Sequence, residues 1–110
     1  MSSLIFNLIN MSLFTTRVEL HKASTSEDYK KLHDEMEKEG FWRTIKLLGE
    51  SASYHLPTAE YSYSNEKNNL DTEGVLNSAK TAAARTGKTF SVFVTKADGP
   101  RKWYKLEEVK

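Results

Sequence analysis

The stretch Phe14-Thr15-Thr16-Arg17-Val18-Glu19-Leu20-His21 alternates without a break. Phe14, Thr16, Val18 and Leu20 share one parity; Thr15, Arg17, Glu19 and His21 share the other. A period of two with the apolar residues on one parity predicts a strand with one face buried and one in water.

Downstream the period changes. Tyr29, Leu32, His33 and Met36 recur at helical spacing and predict one packed helix face. Ser24 with Glu27 three residues later matches a capping box. Glu27–Lys31, Lys30–Asp34, Lys31–Glu35 and Asp34–Lys38 are opposite charges one turn apart on the other side. Gly40 supplies the left-handed stop.

Phe41 to Leu48 reads as a second strand, with Phe41, Arg43, Ile45 and Leu47 on one side. Ala52 to Tyr63 reads as a third, interrupted by Pro57, which cannot donate to a ladder and points to a bulge, an edge or a strand start near residue 58. Ala59, Tyr61 and Tyr63 share one face there. Asp71 or Thr72 caps a second helix whose stripe is Val75, Leu76, Ala79, Ala82, Ala83 and Thr86, ended by Gly87. Phe90 to Ala97 is the fourth strand, with Phe90, Val92 and Val94 inward. Arg101 to Val109 adds a short fifth strand or a tail over an edge.

The order β-α-β-β-α-β predicts an α+β, ferredoxin-like domain: a four-stranded antiparallel sheet with two helices on one face. The domain is expected over residues 12–110, with residues 1–11 as an N-terminal extension and Met11 as the start. The apolar run at the N-terminus is broken by Asn7 and too short for a membrane span. No membrane partner is expected.

The 110 residues are one domain's length, and their 38% hydrophobic and 28% charged content is that of an ordinary globular protein. A net charge of +1 argues against bulk duplex DNA as partner. The chain has no cysteine, which excludes disulfides and thiolate zinc sites and fits a cytoplasmic location. No phosphate loop, Gly-x-Ser-x-Gly elbow or HExxH pattern occurs. No metal and no small-molecule cofactor is expected.

Two constellations stand out. Arg101-Lys102-Trp103-Tyr104-Lys105 alternates charge with rings, as single-stranded nucleic acid requires, or packs its rings across a sheet edge. The sheet face carrying Arg17, Glu19, His21, Phe93 and Thr95 is left open, for a dimer partner or for cover by the tail. Glu19 and Glu60 beside Arg17 read as a cross-strand ion cluster in preference to a metal nuclease site. His33 reads either as a packed histidine or as an acid–base group.

The landmarks Thr16-Arg17-Val18-Glu19-Leu20-His21, Asp28-Tyr29, Leu32-His33, Gly40-Phe41, Thr44-Ile45, Tyr54-His55-Leu56-Pro57-Thr58-Ala59-Glu60-Tyr61, Val92-Phe93-Val94-Thr95 and Trp103-Tyr104 resemble the GhoS-type antitoxins of type V toxin–antitoxin systems, across about residues 12 to 109. The resemblance implies a bacterial or phage endoribonuclease acting on a toxin's messenger RNA, in a fold related to the small CRISPR-associated nucleases. Those nucleases carry an Asp at the end of the first strand, where this chain has His21 and Lys22. That departure argues against metal-dependent cleavage, and the expectation is an antitoxin-like, RNA-acting protein, either a weak metal-independent endoribonuclease or a single-stranded RNA binder. In the first case His33 would take the 2′-hydroxyl proton and Arg17 would steady the phosphate. Lys30, Lys31, Arg101, Lys102, Trp103 and Tyr104 would hold RNA. The competing expectation is a non-enzymatic interaction module that forms a homodimer through its open sheet or edge strand.

Overall fold

The computed structural model describes residues 13–22, 24–45, 52–64, 70–97, 102 and 104–109. The N-terminal extension lies outside them. Elements follow in the order β1 (Leu13–Leu20), α1 (Ser26–Lys38), β2 (Thr44–Ile45), β3 (Tyr54–His55), β4 (Glu60–Ser64), α2 (Thr72–Ala84) and β5 (Phe90–Ala97). The fold class is α+β, with two helices and antiparallel sheets.

β1 is the centre of a three-stranded sheet of order β4-β1-β5. Its alternation sorts the side chains as the sequence predicts: Phe14, Thr16, Val18 and Leu20 are buried, while Arg17 and Glu19 are exposed. Register carries that parity to the neighbours. Thr16 lies opposite Tyr61 on one side and Val94 on the other. Tyr61, Tyr63, Phe90, Val92 and Val94 therefore join the core with Leu32 and Met36 of α1 and Val75, Ala79, Ala82 and Ala83 of α2. Both helices cover this one face, and no described element covers the other.

The expected single four-stranded sheet is not what the ladders form. β2 pairs with β3 in a separate two-stranded sheet; its link to β4 is an isolated bridge from the preceding Trp42 to Ser62, with the Ser62 hydroxyl donating to Thr44 O at 2.7 Å. The interruption expected at Pro57 divides the third strand into β3 and β4. Pro57 has no N–H to offer, its carbonyl takes the Glu60 N–H at 3.1 Å, and Ala59 turns at φ +71°. The chain then restarts as β4. The tail does lie along an edge: His55 N–H donates to Glu107 O at 2.8 Å and Val109 N–H to Ser53 O at 2.8 Å.

The helix start is also displaced by one residue. Thr25, not Ser24, is the cap: its hydroxyl accepts from Asp28 N–H at 3.2 Å, and the Asp28 carboxylate accepts from Thr25 N–H at 2.8 Å. That backbone hydrogen bond holds the Asp28 carboxyl below its ordinary range. Ser24 instead donates to His21 O at 2.9 Å. None of the four expected one-turn ion pairs on α1 closes among the described residues. Glu35 pairs with Lys38 at 3.1 Å and with Arg85 of the α2 C-cap at 3.3 Å, and Arg85 also reaches Glu39 at 2.7 Å. Glu35 thus keeps one partner on its own helix and shares a second, Arg85, with Glu39 across the helix pair.

Candidate functional site

The first cluster sits between α1 and the sheet. His33 is on the edge of the α1 apolar stripe, and its Nδ1 lies 2.6 Å from the Tyr61 hydroxyl. Tyr61 has no exposed surface, and burial pushes its phenol well above the ordinary value, so it stays protonated. Burial, and then the Arg43 charge, push His33 below its ordinary value, so at neutral pH the ring is uncharged. A buried O–H needs an acceptor. Tyr61 therefore donates to Nδ1, which leaves the His33 proton on Nε2. In that tautomer neither ring nitrogen offers a free lone pair to a substrate hydroxyl. Tyr29 braces the same region: its hydroxyl accepts the Leu20 N–H at 3.0 Å, on the side of β1 where β4 has already ended. The Nε of Arg43 is buried with no hydrogen-bond partner among the described residues.

Arg17 belongs to the other side of the sheet. It lies opposite Glu60 on β4 and Phe93 on β5, and its guanidinium is 3.7 Å from the Glu60 carboxylate. The β-sheet thus stands between Arg17 and His33, and the fold does not bring this pair together. Glu19 lies opposite Ser91, and His21 Nε2 is 2.9 Å from Ser91 Oγ. Arg17 with Glu60 forms the cross-strand ion pair expected of this face. Among the described residues, no group of three or more His, Asp or Glu is placed to hold a metal ion.

The face around Arg17 is also where large apolar side chains meet water. Phe93 is 70% exposed, and Trp42, bridged to Ser62 at the far border, is 49% exposed. No family model, curated protein or solved structure matches this chain.

Lys30 and Lys31 are both exposed on α1. They border a solvent-open hollow of about 610 Å³ that also takes in Glu27, Asp34, Glu35, Glu37 and Lys38. Four carboxylates against three ammoniums make this surface slightly acidic, which does not favour phosphate. Lys102 is exposed, and Tyr104 is 81% exposed with Lys105 Nζ 5.4 Å from its ring centre. Arg101 and Trp103 lie outside the described residues. No helix among the described residues is long and apolar enough to cross a membrane.

Two features of this geometry escaped the sequence reading. Trp42 was not singled out, although its parity opposite Phe41, Arg43 and Ile45 already sends it to the open face. The Tyr61–His33 contact joins residues 28 apart. No local pattern announces a pairing at that range.

Proposed function

We propose that this chain is a cytoplasmic interaction module that works by associating with another protein chain. His33 and Arg17 are not used as a catalytic pair. Its scaffold is read as ferredoxin-like, with the Trp42–Ser62 bridge standing for the fourth strand in the order β5-β1-β4-β2. Trp42 N–H donates to Ser62 O at 2.9 Å and Ser62 N–H to Trp42 O at 2.7 Å, which supports that reading.

One observation carries the functional proposal. β5 is an eight-residue strand at the border of the sheet, and its outer edge has no partner among the described residues. An exposed edge of that length is a template for a further strand. Phe93 beside it adds apolar area that water does not favour. Sedimentation equilibrium over a wide concentration range tests the proposal. A mass that rises with concentration for the chain alone, or a defined complex with a partner purified from its host, supports it. A strict monomer that retains no partner defeats it.

A second reading keeps the antitoxin-like, RNA-acting expectation, with single-stranded RNA held by the tail. The exposed Tyr104 ring beside Lys102 and Lys105 favours it, since rings stack on bases while cations meet phosphates. Retardation of a labelled single-stranded RNA, lost in Tyr104→Ala and Lys102→Ala proteins, tests it. Cleavage on the same gel that survives EDTA would restore the ribonuclease expectation.

A further inference from the structure

We infer that the partner of β5 is β5 of a second copy of this chain, paired antiparallel about a two-fold axis through Phe93. This rests on the association reading above and specifies its geometry. His21 N–H donates to Thr89 O at 2.9 Å, one step beyond the Leu20–Phe90 register pair. Backbone groups in an antiparallel ladder alternate in direction. Those of Ser91, Phe93 and Thr95 therefore point to β1, and those of Phe90, Val92, Val94 and Lys96 point outward. β1 obeys the same alternation: Val18 N–H turns the opposite way, to Ala59 O at 3.0 Å.

Parity then limits the registers. If both copies are to keep their helices on one side, each outward residue must face a residue of its own parity. Two registers that obey this overlap seven residues of each strand, one centred on Phe93 and one on Val94, and the Phe93 register is the fuller in hydrogen bonds because it pairs four outward residues where the other pairs three. It sets Phe93 against Phe93, Val92 against Val94, Ser91 against Thr95 and Phe90 against Lys96. Every pair is compatible. The two Phe93 rings meet on the open face where each is now 70% exposed. Ser91 and Thr95 are a hydroxyl pair, and Val92 with Val94 continues the core side. Lys96 is the one charged residue in β5. The dyad puts its two copies at opposite ends, each over a Phe90. On the order of eight new backbone hydrogen bonds would join the sheets. β5 carries no proline to prevent this. A second copy is the occupant the observations favour, because the same strand satisfies both sides of each pair.

The absence of cysteine makes the test clean. Single-cysteine variants of the full chain are oxidised mildly and read on non-reducing gels. Residues 93–93, 91–95 and their symmetry mates would be non-hydrogen-bonded pairs. Their Cα separation of about 4.5 Å falls within the disulfide range of about 4.4–6.8 Å. Phe93→Cys is expected to cross-link with itself. Ser91→Cys and Thr95→Cys are expected to cross-link when mixed, and neither alone; these two retain the Phe93 pair. Phe93→Lys, which sets two ammoniums face to face on an exposed position, is expected to weaken self-association at least about tenfold while its melting curve stays cooperative. A chain that self-associates by sedimentation but gives no 91–95 cross-link, or cross-links equally at Trp42→Cys, overturns the β5 pairing and leaves the association reading standing. A chain that binds only a different protein overturns the second copy as occupant. A strict monomer without any partner overturns both.

Discussion

The Tyr61 hydroxyl lies 2.6 Å from His33 Nδ1, and this one contact fixes the state of the most chemically versatile side chain on α1. Tyr61 is buried at the centre of the β4 contact with β1, opposite Thr16. Its phenol stays protonated and must donate, so the imidazole stays neutral and must accept. The histidine that the sequence offers as a general base is committed to the interior. Arg17, its expected companion, is on the opposite face of the sheet, paired with Glu60.

A pH dependence follows from this contact. The folded His33 value is lowered, by burial first and by Arg43 second, so below its unfolded value of about 6.5 the unfolded chain binds the extra proton. Stability from the neutral ring is complete above that value and is lost as pH falls through the lower folded value. The melting temperature should therefore drop between pH 7.5 and acid more steeply in the native protein than in His33→Gln. Arg43→Met removes the second cause. In that protein the His33 titration followed by NMR should move upward, back toward the ordinary histidine value.

Thr16 carries a second prediction. It has no exposed surface, and its hydroxyl is buried with no hydrogen-bond partner among the described residues. A buried hydroxyl left in that state costs about 1–3 kcal/mol, and valine fits a central strand at least as well as threonine. Thr16→Val should stabilise the fold by on the order of 1 kcal/mol, read as a melting temperature higher by about 4–8 °C. An unchanged or lower melting temperature would mean that the hydroxyl has a partner after all.

The two glycines that end the helices should respond unequally. Both have positive φ, +94° at Gly40 and +80° at Gly87, so alanine at either costs roughly 1–2 kcal/mol in backbone strain. At Gly40 an added Cβ would also stand 3.2 Å from Cε1 of Tyr63, which packs on Phe41 at a ring separation of 4.8 Å. At Gly87 it would meet nothing within 4 Å. Chemical denaturation should therefore rank Gly40→Ala as the more destabilised protein.

Much of the fold was legible wherever one residue's surroundings repeat at a fixed period. The alternation of Phe14 to His21 and the Val75–Ala79–Ala82–Ala83 stripe are such cases, because burial on one face selects side chains directly. Legibility fails where neighbouring frames are chemically equivalent. Ser24 with Glu27 and Thr25 with Asp28 both satisfy the capping pattern, and a shift of one residue decides which carboxylate points at the backbone. It fails again where a partner comes from another element, as when Arg85 of the second helix joins Glu35 and Glu39. The open face with Phe93 was readable from parity alone. The separation of Arg17 from His33 was readable in half: Arg17 had its face, while the face of His33 depended on Tyr61. Sequence parity also marks β5 as amphipathic, but which of its backbone groups point outward depends on the His21–Thr89 hydrogen bond.

Residue-resolved hydrogen exchange on β5, at low and at high protein concentration, tests the central claim most directly. The amides of Ser91, Phe93 and Thr95, turned to β1, should be protected at both concentrations. Those of Val92, Val94 and Lys96 should exchange freely in dilute protein and become protected as concentration rises. If these three exchange freely at every concentration while the other three stay protected, the β5 edge recruits no second copy, and self-association through it is contradicted.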